Sequence, residues 1–252
     1  MLQQTQVARV LQKYPRFVGR FPTFTALAGA SKAAVIRAWS GMGYNNRAVR
    51  LRELARIVRT QYGGKLPSDT EELQRLPGVG KYTAHAVACF AFGKRVPLVD
   101  TNIARVLSRL FPQISDRWHA AEWALPKRSA YDWNQGLMEL GATVCTSARP
   151  DCARCPAVRV CPSAFVAARR KTAAQKREPG RDGVPNRIYR GRIIELLRRK
   201  PGSGVSEIGK HIKTGYSDRD RRWLLSILGK LEKDGLVQTR PVGNGRRVQL
   251  AS

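Results

Sequence analysis

Apolar residues recur at three- and four-residue spacing along the first part of the chain, the period of helices that bury one face. Val7, Val10, Leu11, Tyr14 and Val18 mark one amphipathic helix within 5–18, and 33–39 and 48–62 repeat the pattern. Ser68 followed by Glu71 is a capping-box signature that starts a helix at Asp69. The apolar run Tyr82–Phe92 comes after a Leu76-Pro77-Gly78-Val79-Gly80 turn, and a further apolar-periodic helix follows Asp100. Strand-type alternation is absent until the last 20 or so residues. There 236–240 and 247–250 flank Gly243-Asn244-Gly245, which reads as a tight hairpin. Helices are expected before it over 188–199, 205–212 and 217–234. Three helices followed by a two-stranded wing is a winged-helix order.

Composition narrows the partner. The chain has 252 residues, 42% of them hydrophobic, enough to bury a core. Lys+Arg 46 against Asp+Glu 18 gives +28, beyond what solubility requires, and predicts a polyanionic partner. No apolar run approaches the roughly 20 residues that cross a bilayer, and MLQQTQVARV lacks the order of a secretory signal. The expectation is a cytoplasmic or nucleoid-associated monomer with no membrane partner. The charge divides at Cys161-Pro162: 24 basic and 10 acidic residues before 163, 22 and 8 after, +14 on each side. The stretch 165–186 is basic, lacks an apolar face and contains the turn pairs Pro179-Gly180 and Asp182-Gly183. The expected domains are therefore 1–162 and 187–252, with a linker at 163–186.

Four motifs carry chemistry. Cys145, Cys152, Cys155 and Cys161, spaced C-x6-C-x2-C-x5-C without a secretory signal, point to a metal centre instead of disulfides. Zinc and an iron–sulfur cluster both suit four thiolates, and spacing leaves the two open. Cys89, in an apolar helix, reads as a small buried hydrophobe. Gly78 and Gly80 let backbone N–H groups approach an anion at the start of the next helix, so Gly78, Val79, Gly80 and Lys81, with Lys94 nearby, are candidates to clamp a DNA phosphate. Leu76-Pro77-Gly78-Val79-Gly80 also reads as a plain helix–helix turn. Asp100 reads as the N-cap of its helix and Asn102 as a polar first-turn residue. In the C-terminal part Arg219, Arg221, Arg222 and Lys230, with Arg240, Arg246 and Arg247 in the wing, suit DNA backbone contacts or a basic protein-docking face. His85, His119 and His211 show no ligand pairing; Trp39, Trp118, Trp123 and Trp133 are expected in the core or lining a groove.

The succession MLQQTQV (1–7), GMGYNNRA (41–48), LPGVGKYTA (76–84), VDTNIARVL (99–107) and ELGATVC with three further cysteines (139–161) resembles the helix-hairpin-helix DNA glycosylases, and more narrowly the MutY-type adenine glycosylases. The resemblance implies a mainly α, two-lobed fold acting on double-stranded DNA that carries a mispair or damaged base. It implies that the four cysteines hold a 4Fe–4S cluster. Asp100 matches the family's essential aspartate, which stabilises the oxocarbenium-like sugar as the N-glycosidic bond breaks, and Asn102 matches a supporting residue. Relatives that also cut the strand carry a lysine where this chain has Tyr82; a tyrosine forms no Schiff base, which implies a monofunctional enzyme that leaves an abasic site. Leu2, Gln3 and Gln4 of the first motif, with Tyr44, match the region that contacts and wedges into the duplex around the extruded base.

The sequence departs from that pattern twice. The glutamate that protonates departing adenine lies just before the MLQQTQV motif, hence before Met1, and the expectation is a reading frame that starts upstream; a chain without it would release base slowly. The winged-helix-like segment stands where relatives carry a domain that reads 8-oxoguanine. The expected activity is excision of adenine mispaired with 8-oxoguanine or guanine. Excision of thymine or uracil opposite guanine is the nearest alternative, and a non-catalytic iron–sulfur DNA-binding regulator the alternative from another class.

Overall fold

The computed structural model describes residues 1–166, 178–243 and 245–252. The chain is helical through Thr143: α1 (Val7–Arg20), α2 (Phe24–Gly29), α3 (Lys32–Ala38), α4 (Asn46–Gln61), α5 (Thr70–Arg75), α6 (Lys81–Phe92), α7 (Thr101–Leu110), α8 (Arg117–Trp123) and α9 (Ala130–Thr143). Side-chain caps start several of them, as the polar residues before each apolar run require. The expected capping residue Ser68 is corrected to Asp69, whose carboxylate accepts from the Glu71 and Glu72 N–H groups at 2.8 and 3.0 Å. A carboxylate is a stronger acceptor than a hydroxyl and also complements the positive end of the helix.

Two compact units form, one from Met1–Lys65 with Gln175–Ser252 and the other from Leu66–Ala174. In the first, α1 to α4 pack Val10, Phe17, Leu27, Val35, Trp39 and Met42 into one core. The face of α1 differs from its sequence pattern. Val10 and Phe17 are buried in that core, whereas Val7, Leu11, Tyr14 and Val18 are exposed.

The C-terminal part of the same unit contains β1 (Gly180–Arg181), β2 (Val184–Pro185), α10 (Asn186–Arg199), β3 (Ser203–Gly204), α11 (Val205–Ile212), α12 (Arg221–Lys233), β4 (Val237–Val242) and β5 (Gly245–Leu250). β4 and β5 form the expected antiparallel wing, in register from Val237 opposite Leu250 to Val242 opposite Gly245, and β3 joins it in the order β3-β5-β4. Three of these strands precede the last 20 residues, contrary to expectation: β1, β2 and β3 are each two residues long, too short to show alternation. The expected helix 217–234 is also divided, with a short 3-10 turn at Asp218–Asp220 before α12. Of the expected linker, 167–177 lie outside the described residues, while 180–185 fold as a small hairpin on α10.

The core of this part also takes in one residue of the N-terminal helices. Ile36 of α3, fully buried, belongs to the same apolar cluster as Ile193, Ile194, Leu197, Ile208, Leu224 and Val248, with Ala33 and Val49 packed against it. Ile36 joins this cluster while its neighbour Val35 packs with α1 and α2, so the two residues face opposite sides of α3.

In the second unit Cys89, Leu98, Ile103, Val106, Leu107, Ala120 and Leu137 make the core. Cys89 is buried as expected, and Asn134 fills the polar needs around it: its amide nitrogen donates to the Val96 carbonyl at 3.0 Å and its oxygen accepts from the Leu98 N–H at 3.1 Å. Trp39 is a core residue, but Trp123 is 66% exposed and edges onto Phe111, a correction to its expected place. Among the described residues no helix is long and apolar enough to cross a membrane.

Candidate functional site

The α5–α6 hairpin is built by its glycines. Gly78 has φ +80°, a conformation that L side chains rarely adopt, and Val79 N–H closes the turn onto the Leu76 carbonyl at 3.1 Å. Gly80 is the N-cap of α6 and supplies no side chain to its first turn. Gly78 and Gly80 are exposed beside Val79, so the hairpin tip presents bare backbone at a helix N-terminus. Lys81 leans its ammonium over the Trp118 ring at 4.1 Å, and that ring edges onto His85 at 4.7 Å. His85 Nδ1 lies 2.9 Å from the Pro97 carbonyl, and burial holds its pKa below the ordinary value.

Asp100 caps α7, its Oδ1 accepting from the Ile103 N–H at 2.7 Å. The carboxylate is half-buried, and the cap fixes its direction. Tyr82 is close enough to feel it: burial, and secondarily the Asp100 charge, raise the phenol pKa, so Tyr82 stays neutral. Its hydroxyl lies 3.8 Å from Met138 Sδ. Asn102 is held by Arg105, which donates to its Oδ1 at 2.7 Å, to the Gly141 carbonyl at 2.6 Å and to the Cys145 carbonyl at 2.8 Å. Helices α7 and α9 touch at Gly141, where a Cβ would come within 2.7 Å of Asn102 Cβ and 3.0 Å of its backbone.

After α9 the chain wraps a small apolar hollow lined by Cys145, Cys152, Cys155 and Cys161. Backbone bonds from Cys145 to Leu140, from Asp151 to Val144 and from Cys155 to Cys152 set the turns. Arg109 donates to Cys145 Sγ at 3.0 Å and to the Thr146 carbonyl at 2.9 Å, and the Phe165 N–H points at Cys152 Sγ, 3.4 Å away. All four cysteines line this space; among the described residues no group of three or more His, Cys, Asp or Glu side chains is placed to hold a metal ion.

The other unit holds the expected wedge residues in unusual backbone. Gln4 and Tyr44 have φ +53° and +41°, a region that residues other than glycine occupy at a cost of about 1–3 kcal/mol. Leu2 and Tyr44 are 60% and 55% exposed. Arg47 ties both segments together. Its guanidinium donates to the carbonyls of Met1 (3.0 Å), Gln3 and Met42 (2.9 Å) and to Thr5 Oγ1 (2.8 Å), and lies over the Trp39 and Tyr44 rings. Burial lowers its pKa. Arg221 and Arg222 are exposed at the first turn of α12.

Sequence reasoning missed Arg47, Arg105 and Arg109. Arg105 had a local signal, standing three residues after Asn102 on one helix face. Arg47 lies inside the GMGYNNRA motif, but its partners are carbonyls that no residue pattern announces.

Residues 1–122 match the model of the HhH-GPD superfamily of base excision DNA repair proteins. The chain is 44% identical over 211 residues to the adenine DNA glycosylase of Mycobacterium tuberculosis, covering 79% of this chain and 67% of that one. This chain belongs to the MutY-type HhH-GPD glycosylases. Solved structures agree on the fold of the family. A thermostable thymine-DNA glycosylase superposes with a TM-score of 0.60 at 34% identity, covering 64% of this chain and 78% of that one. A trapped endonuclease III–DNA covalent intermediate does so with a TM-score of 0.59 at 26% identity, covering 65% and 79%. The MutY-type assignment accounts for the order of the motifs from Leu2 to Cys161.

Proposed function

We propose that the chain excises adenine mispaired with 8-oxoguanine or guanine from double-stranded DNA and leaves an abasic site. The observation that carries this reading is the capped carboxylate of Asp100, with Tyr82 in place of an amine, in a MutY-type glycosylase. As the bond between C1′ and the base nitrogen breaks, its electron pair departs with adenine, which takes up a proton, and water supplies the hydroxyl at C1′. The developing positive charge on the sugar is stabilised by the Asp100 carboxylate, a preorganised group that needs no reorientation because Ile103 N–H already fixes it. Asn102, oriented by Arg105, supports that carboxylate. Tyr82 has no amine to attack C1′, which favours hydrolysis without strand cleavage.

Leu2, Gln3, Gln4 and Tyr44 contact the duplex and fill the gap left by the extruded base, whose unstacking costs a few kcal/mol. Gly78, Val79, Gly80 and Lys81 bind a phosphate and set position without reading sequence. Arg221 and Arg222 add backbone affinity. Cys145, Cys152, Cys155 and Cys161 fit a 4Fe–4S cluster, whose iron–thiolate bonds, when it is bound, fix the loop that also carries the Arg105 contact.

Single-turnover cleavage of duplexes bearing A·8-oxoG, A·G, T·G and U·G tests the substrate. Release from the two adenine duplexes is expected. Release from T·G or U·G alone would favour the thymine/uracil reading, which draws support from the thymine-DNA glycosylase likeness. Asp100→Asn is expected to abolish release while duplex binding persists; no release by the parent chain from any duplex favours the regulator.

A further inference from the structure

The strained loop that carries Tyr44 is gripped by the C-terminal part of the chain. Tyr44 follows Gly41 and Gly43, with φ +81° and +68°, so three residues of the 40–45 loop have positive φ. Gly41 and Gly43 adopt it freely, whereas Tyr44 holds it only when its surroundings over-determine it. Within the N-terminal helices, Trp39 Nε1 donates to the Gly43 carbonyl at 3.1 Å and Arg47 holds the Met42 carbonyl. The remaining grip comes from α10. Arg198, its side chain only 9% exposed, donates from Nη2 to Asn45 Oδ1 at 2.7 Å and to the Ile36 carbonyl at 3.0 Å, with Nε on the same carbonyl at 3.2 Å.

Ile36 lies near the C-terminal end of α3, where helix carbonyls run out of N–H partners. Asn45 is the residue next to Tyr44. One guanidinium therefore spans both flanks of the loop, a reach that its planar fork allows and an ammonium does not. Glu195, one turn earlier on α10, orients Arg198 from 2.8 Å and accepts weakly from Ser40 Oγ at 3.5 Å. The pair is anchored by the shared core around Ile36, so its geometry is set by packing.

We propose that Arg198 is a positioning residue for Tyr44: through Asn45 it holds the 40–45 loop in the conformation that presents the tyrosine to the duplex. The C-terminal winged-helix part then serves base extrusion directly, in addition to any contact it makes with DNA. This rests on the reading of Tyr44 as a wedge, and the experiment separates the two claims.

The full chain is assayed with a duplex carrying 2-aminopurine opposite 8-oxoguanine, whose fluorescence rises when the base unstacks, beside affinity for an undamaged duplex. Tyr44→Ala, Asn45→Ala, Asn45→Asp and Arg198→Met are compared. Asn45→Ala is the milder probe, since Arg198 keeps its bonds to Ile36 and the fold keeps its anchor. Asn45→Ala and Arg198→Met are expected to reduce the fluorescence rise at least several-fold, towards the level of Tyr44→Ala, with affinity for undamaged duplex within twofold of the parent. Asn45→Asp, which preserves the acceptor, is expected to retain the rise. If Tyr44→Ala loses the rise but Asn45→Ala keeps it, the positioning role is wrong while the wedge stands. If Tyr44→Ala keeps it, both are wrong. Equal loss of undamaged-duplex binding in Asn45→Ala also overturns the proposal, because it marks a general structural role.

Discussion

Arg105 donates to the Asn102 side-chain oxygen at 2.7 Å from one turn further along the same helix, and the same guanidinium holds the Cys145 carbonyl at 2.8 Å. One residue therefore connects the proposed catalytic helix to the first of the four loop cysteines. Arg105→Met keeps most of the aliphatic packing but removes the bonds to Asn102, Gly141 and Cys145. Hydrogen bonds to charged groups contribute about 1.5–3 kcal/mol each when a partner is lost, and partial exposure reduces that here. The expected outcome is a loss of about 1–3 kcal/mol in denaturant melts with base release slowed more than duplex binding is weakened. Parent-level release at unchanged stability would show that Asn102 needs no orienting partner.

Gly141 is required where α9 crosses α7. A methyl there meets Asn102 Cβ at 2.7 Å and its backbone carbonyl at 3.0 Å, and backbone moves less readily than a side-chain tip. Gly141→Ala is expected to destabilise by about 1–3 kcal/mol through overpacking. Base release should fall further, since a shift of about 1 Å in catalytic geometry costs on the order of 10²-fold. Gly136 on the same helix is the control: nothing lies within 4 Å of an added Cβ. Gly136→Ala is expected to be neutral or to stabilise by up to about 1 kcal/mol, as alanine is the better helix former. Equal melts for the two variants would contradict the close crossing.

These contacts show which parts of the site the sequence made legible. Asp100 as a cap, the Gly78 turn, the four cysteines and the wing each follow from residues near one another in the chain. Local hydrogen bonding and backbone freedom impose those patterns. Arg47 and Arg198 were illegible for a common reason. Their acceptors are largely backbone carbonyls, which carry no residue identity, and they lie 46 and 162 residues away for Met1 and Ile36. The exposed stripe of α1 failed differently: its periodicity was real, but periodicity does not say which side of a helix finds a partner.

Asp220 sets an acid limit on the C-terminal part. Its side chain is almost fully enclosed and lies 2.7 Å from Arg181 and 3.2 Å from Lys213, with the Ser217 N–H at 3.1 Å. Burial pushes its pKa up, but the Ser217 N–H, Lys213 and Arg181 outweigh burial and hold it below the ordinary carboxylate value. A carboxyl depressed on folding stabilises the fold above its unfolded pKa, and that contribution is lost as pH falls through the folded value. Lys213, raised chiefly by Asp182 and also by Asp220, works in the opposite sense and loses its contribution only as pH rises through its elevated value. Thermal melts from neutral to acid pH should therefore show a stability loss in the carboxylate range that Asp220→Asn flattens. An identical acid limb in the variant would remove Asp220 from the account.

The exposed arginines of α12 separate DNA contact from protein docking. Each phosphate neutralised contributes about 0.9 to the slope of log affinity against log salt. If Arg221 and Arg222 each contact one phosphate, the double variant R221A/R222A should lower the slope magnitude by about 1.8 and weaken binding to mispaired and undamaged duplexes alike. Deleting the whole C-terminal part cannot make this test, because it strips the cover from Ile36, Ala33 and Val49 and damages the N-terminal helices as well. Point substitution leaves that core intact: both arginines are exposed, whereas Leu224, Ile227, Leu228 and Leu231 carry the packing of the same helix. An unchanged slope in a variant that melts like the parent assigns the basic face to a protein partner.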